Sequence, residues 1–166
     1  MKHLTKLIFG MVVLMLLVGA WVAPAAAADV EQARDYTGAK YAYRLMLLRL
    51  DTLQDIIDHA EATADLADKY IADEQAAGYD TSVLETGLSK LRTKIDEAQD
   101  HLNTAARILA DHAGFDDDGN VTDPQQARET MKNAREAMQD VGKALHDGRE
   151  EFREAFQSYR QSKRDK

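Results

Sequence analysis

Residues Leu84–His112, LETGLSKLRTKIDEAQDHLNTAARILADH, decide the fold. Apolar residues recur at Leu84, Leu88, Leu91, Ile95, Ala98, Leu102, Ala105 and Leu109, and the rhythm ends on His112. The spacings alternate between three and four, which on an α-helix gathers all of these side chains into one seam. A strand would need alternation by two, and no window of the chain shows it.

The same rhythm flanks this segment on both sides. Upstream it runs through Tyr36, Ala39, Tyr43, Met46, Leu50, Leu53, Ile57, Ala60, Ala64, Ala67 and Ile71. Downstream it runs through Ala127, Met131, Ala134, Met138, Val141, Leu145, Gly148, Phe152, Ala155 and Tyr159. Between the segments stand helix punctuation marks. Gly78 suits a left-handed C-terminal cap, and Ser82 followed by Glu85 reads as a capping box. Gly114 is expected to close the second helix. Asp123, Pro124 and Gln126 are expected to open the third as cap, first-turn proline and box partner. Helices are therefore expected at about 30–77, 81–113 and 124–163.

Short connections favour antiparallel neighbours. The expected fold class is all-α, an antiparallel three-helix, coiled-coil-like bundle. Folding the seams up, down and up sets Ala67 near Leu88, Ile57 near Ala98 and Leu50 near Ala105. It also sets Val141 near Ala98, Phe152 near Leu88, Ala64 and Ala67, and Gly148 opposite Leu91. Large side chains then face small ones, as interdigitated packing requires. The alanines Ala60, Ala64, Ala67, Ala98 and Ala105 should let backbones approach closely.

Ahead of the bundle lies a different kind of sequence. Lys2, His3 and Lys6 precede an apolar run from Leu7 to Val22, and Ala25–Ala28 supply small residues. This order is that of a secretory signal peptide over residues 1–28. A retained anchor is the alternative, although 16 residues fall short of the roughly 20 a span needs. Cleavage after Ala28 would leave 138 residues with 19 basic against 29 acidic side chains. The destination is then the periplasm, the cell envelope or the exterior, with no stable membrane span after processing.

Composition narrows function. The 166 residues are 45% apolar and 30% charged, with no cysteine and a net charge of −8. One domain fits this length after the leader is removed. Without cysteine there can be no disulfide scaffold, thiolate metal site or cysteine nucleophile. The acidic balance argues against nucleic acid, whose phosphates call for a basic surface. No nucleophile with an oriented base, inward carboxylate cluster or glycine-rich phosphate loop is legible, so the expected protein is not an enzyme. Met46 and His112 lie inward near the same end, but His112 stands too close to the helix terminus for an axial haem pair. The inward Glu-x-x-His motifs of a di-iron bundle are absent, and no cofactor is expected other than the calcium considered below.

Two segments exceed what a bundle needs. In Tyr41–Leu50, the seam is already supplied by Tyr43, Met46 and Leu50. Tyr41, Leu45 and Leu48 make a second stripe that points away from it, with Leu47 between. An exposed patch of this kind marks a site for a protein partner or for self-association. The alternative is that the connection at 113–123, carrying Phe115 and Val121, folds over it. The second segment is Gly114–Asp123. With Gly119 at the sharp turn, Asp116, Asp118 and Asn120 become candidate oxygen ligands of a calcium loop. It lacks the first aspartate and ends on Gln125 where the pattern wants a bidentate glutamate. Asn120-Val121-Thr122 is also a glycosylation triplet.

The remaining polar groups read as structural. Asp51, Asp55, Asp58, Glu61, Asp65 and Asp68 make a solvated face. His59, His101 and His146 fall outside the seams, and Arg160, Lys163, Arg164 and Lys166 complement a helix dipole. The expected function is a non-catalytic structural or protein-interaction role in the envelope or exterior. An extracytoplasmic holdase-type chaperone and a weak calcium-binding module are the alternatives.

Overall fold

A computed structural model of the chain describes residues 37–164. The leader at 1–28, its cleavage point, Tyr36 and Lys166 lie outside the described residues. Residues Asp35–Lys166 form a compact unit of their own. The described chain is all-helical: α1 spans Thr37–Ala76, α2 Ser82–Ala110 and α3 Pro124–Arg164. At about 1.5 Å per residue these are rods of roughly 60, 44 and 62 Å. Among the described residues there is no strand, only an isolated antiparallel bridge between Phe115 and Val121 in the α2–α3 connection.

Cross-helix bonds define the path. Tyr43 near the start of α1 donates its hydroxyl to the Leu109 carbonyl at the end of α2 (2.7 Å). Gln54 and Gln99 exchange side-chain amide bonds in mid-bundle, at 3.0 and 3.1 Å. Gln75 at the end of α1 reaches Glu85 at the start of α2 (2.7 Å). The two helices are therefore antiparallel. Thr130 of α3 bonds the Ala113 carbonyl just after α2 (2.8 Å), while Lys90 pairs with Glu151 (3.3 Å), so α3 turns back again and runs alongside α1.

The turns are built from local hydrogen bonds. Gly78 has φ +83°, its N–H bonds the Gln75 carbonyl and that of Tyr79 bonds Glu74, which is the double closure of a Schellman cap. The start of α2 differs from expectation. Ser82 is the first helical residue, not the cap, and gives both its N–H and its hydroxyl to Asp80. Buried Thr81 occupies the cap position and donates to Glu85 (2.7 Å). The end of α2 also comes earlier, at Ala110. His112 turns left-handed at φ 35° and Gly114 at φ 84°, so the chain leaves the helical path before residue 113. His112 is thus not the last seam residue but part of the connection. At α3, Asp123 accepts from the N–H groups of Gln125 and Gln126, the expected cap.

The seams are the core. Every α2 seam residue from Leu84 to Leu109 is buried, and Met46 and Met138 are buried with Leu102. Leu50, Ala60, Ala67, Met131, Leu145 and Phe152 are partly buried around them. On α3 the buried arc is wider than a single seam, since Thr130, Ala137 and Ala144 are buried too. Small residues explain this. A Cβ on Gly87 would stand 2.4 Å from the Ala155 Cβ, and one on Gly148 would stand 2.7 Å from the Lys94 Cβ and 3.3 Å from Leu91. The closest backbone approach thus falls between α2 and α3, while α1 lies outermost with its second face uncovered.

Candidate functional site: the outward face of α1 and the loop beside it

The stripe on α1 is open. Tyr41, Leu45 and Leu48 are 66%, 63% and 64% exposed, and Leu47 is 39% exposed. Their spacing of four and three places Tyr41, Leu45 and Leu48 on one face, directed away from the side that carries Tyr43, Met46 and Leu53. Those three are buried, so the core at this end is complete without the stripe.

The connection between α2 and α3 does fold back on α1, but onto a different flank. Phe115 is buried and stacks on the Tyr43 ring with centroids 4.4 Å apart. Gly119 passes so close that a Cβ there would meet the same ring at 3.4 Å. Lys40 donates to the Asn120 side-chain oxygen (2.6 Å), and Arg44 donates to the Asp118 carbonyl (3.2 Å). The loop therefore seals the Tyr43 side of α1 and leaves Tyr41, Leu45 and Leu48 in solvent.

Inside the loop, Asp116 organises the turn. One carboxylate oxygen accepts from the backbone N–H groups of Asp118 (3.0 Å) and Asn120 (2.7 Å), and the other accepts from the Asn120 side-chain amide (2.9 Å). The side-chain bond from Asn120, with the backbone bonds, holds the Asp116 carboxyl below its usual range. Both Asp116 oxygens thus accept hydrogen bonds from within the loop. Among the described residues no group of three His, Asp or Glu side chains is gathered to hold a metal ion. Asp118 contributes its carbonyl to Arg44, and Asn120, though exposed, has its side-chain amide tied to both Lys40 and Asp116. Asp116 thus closes the loop on itself, while the Asp118 carbonyl and the Asn120 side-chain oxygen tie it to α1. We expect Asp116→Ala to speed amide hydrogen exchange at Asp118 and Asn120 while leaving the mid-helix amides unchanged; equal protection in both proteins would show that the carboxylate does not organise the turn.

At the opposite end lies a polar cluster that heptad reasoning passes over. The Glu74 side chain, only 15% exposed, accepts from the Tyr159 hydroxyl and the Lys163 ammonium. Lys163 also sits 3.7 Å from the centre of the Tyr79 ring, and Tyr70 packs edge-on against Tyr159 at 6.5 Å. Burial acts to raise the Glu74 pKa, but the bonds from Lys163 and Tyr159 outweigh it and hold the carboxyl below its ordinary value. Burial and the neighbouring Glu74 charge push the Tyr70 hydroxyl up to about 12. Lys163 therefore closes the end of the bundle by reaching α1, a more specific role than complementing the α3 dipole. The sequence signal was faint: Glu74 and Lys163 share a level only once α1 and α3 are known to run side by side.

The other sites considered from sequence stay dispersed. His59 and His146 are exposed and His101 is half-buried. Asp65 and Asp68 both receive Arg92 of α2, so part of the acidic face is paired across helices. No helix among the described residues is long and apolar enough to cross a membrane. Comparison of the chain with protein-family models, curated proteins and solved structures gave no match.

Proposed function

We propose that the protein is an exported, non-catalytic helical bundle that works in the cell envelope or exterior by binding protein through the outward face of α1. One observation carries this reading: three large apolar side chains, Tyr41, Leu45 and Leu48, are each almost two-thirds exposed beside a core that is already closed. Scattered apolar residues on a surface need no explanation, but a contiguous stripe on a rigid helix does. Burying each such side chain is worth about 1.5–3 kcal/mol, enough in sum to support a reversible contact. The order of charged, apolar and small residues in positions 1–28 supports export.

The test is a photoreactive amino acid placed at Leu48 in the protein expressed in an exporting cell. The expected result is a defined crosslinked protein adduct that disappears when Tyr41 and Leu45 are changed to Glu. Irradiation that yields no protein adduct would remove this reading.

A further inference from the structure

We infer that the occupant of the α1 face is a second copy of this chain, packed antiparallel about a twofold axis near Leu48. This rests on the reading of that face as a protein-binding surface and names the partner.

The argument is the distribution of charge along α1. Residues 37–50 contain Lys40, Arg44 and Arg49 and no acidic residue. Residues 51–68 contain Asp51, Asp55, Asp58, Glu61, Asp65 and Asp68 and no Lys or Arg. The apolar stripe ends where the sign changes. Two such helices laid parallel would set like charge on like charge, whereas laid antiparallel they set the basic half of each on the acidic half of the other. Arg44 and Asp55 are eleven residues apart, about three turns, and so occupy the same flank of α1. With the axis near Leu48, each Arg44 falls between Asp51 and Asp55 of the second copy. Leu48 meets its own counterpart, Leu45 lies beside Thr52 of the second copy, and Tyr41 lies between its Asp55 and His59.

The bundle already makes this kind of contact internally. Arg92 of α2 inserts between Asp65 and Asp68 of its antiparallel neighbour α1. Arg44 already gives one N–H to the Asp118 carbonyl, and a guanidinium retains further donors for a carboxylate. The acidic half also weighs against an anionic lipid surface as the occupant, because the same helix face would bring Asp55 against the headgroups. The stripe of one copy offers about a few hundred Å², below the roughly 800 Å² per partner of a standard stable pair. The pair is therefore reversible and forms as concentration rises.

The experiment is sedimentation velocity on residues 29–166, which contain the compact unit Asp35–Lys166, from low micromolar to near-millimolar protein and at low and high salt. The expected result is a shift from monomer to dimer mass with concentration, weakened by salt. Leu48→Glu should abolish it. Arg44→Glu and Asp55→Arg should each weaken it by about tenfold, and the two combined should recover most of the loss, since the swapped charges again face each other. Circular dichroism of each variant reports folding, and a photoreactive group at Leu48 of the otherwise unchanged chain gives an independent dimer readout. A chain that stays monomeric while the Leu48 probe captures a different protein would overturn the second copy and leave the binding surface standing. Monomer with no adduct would overturn both. A dimer indifferent to Leu48→Glu and to the charge reversals would place association on another face and also overturn the inference.

Discussion

Gly114→Ala should lower the stability of the bundle by about 3 kcal/mol or more, combining a left-handed backbone penalty with forced displacement of packed backbone. Gly114 sits at φ +84°, and a Cβ there would lie 2.2 Å from the Ala127 nitrogen and 2.7 Å from the Asp123 carbonyl oxygen. Neither atom is the movable tip of a side chain. Both belong to the first turn of α3, where the Ala127 N–H bonds the Asp123 carbonyl (2.9 Å) and the Gly114 carbonyl accepts from Thr122 (2.9 Å). Adding one methyl group would push the α3 N-terminus off the end of α2. Gly78→Ala provides the comparison, because Gly78 has nearly the same φ, +83°, with nothing within 4 Å of its Cβ position. That change should cost only about 1 kcal/mol, the conformational part alone. Thermal or urea unfolding of both variants measures the difference. Equal losses would mean that the approach of α3 to Gly114 is not a constraint.

The second large effect is expected at the far end of the bundle. Glu74→Gln should cost about 1–3 kcal/mol near neutral pH, because it removes the charge from a carboxylate that accepts from Tyr159 and Lys163. The wild-type contribution should depend on pH with a definite sign. The folded-state carboxyl is held below its unfolded value of 4.5, so the folded form binds the proton less readily. Its stabilisation is fully present above that unfolded value and declines as the pH falls through the lower, folded one. The difference in unfolding free energy between wild type and Glu74→Gln should therefore be constant from neutrality to about pH 6 and shrink below pH 4.5. A difference that grows on acidification would contradict the assignment of Glu74 as the acceptor joining the ends of α1 and α3.

Much of the architecture was legible because it depends on periodicity. The α2 seam is a one-dimensional pattern: a residue every three or four positions must share a face, and a face of leucines must be covered. The caps at Gly78 and Asp123 were legible for the same reason, since a positive φ or an N-terminal acceptor is a local demand met by few residue types. Local signals misled where two candidates stood side by side. Ser82 looked like the cap, but Asp80 captured its hydroxyl and Thr81, buried one residue earlier, took the position. Likewise Gly114 has the local signature of a cap on α2, whereas the helix stops at Ala110 and the glycine serves close approach to α3.

The stripe of Tyr41, Leu45 and Leu48 illustrates the division. Its existence as surplus apolar surface followed from counting positions on a helix. Whether the 113–123 connection would cover it depended on which flank of α1 that connection chose. Phe115 stacking on Tyr43 and Lys40 holding Asn120 carried the loop to the seam side.

From its order of residues alone, this chain specifies three amphipathic helices, their turns and a surplus of apolar surface on the first, because each is a property of spacing within a single segment. Tertiary structure decided which surface stayed open, that small residues would bring α2 and α3 closest, and that Glu74, Tyr159 and Lys163 would meet. These outcomes depend on the relative rotation and level of segments as many as 89 residues apart. Rotation and level are set by the packing of all three rods at once, and no one segment contains that information.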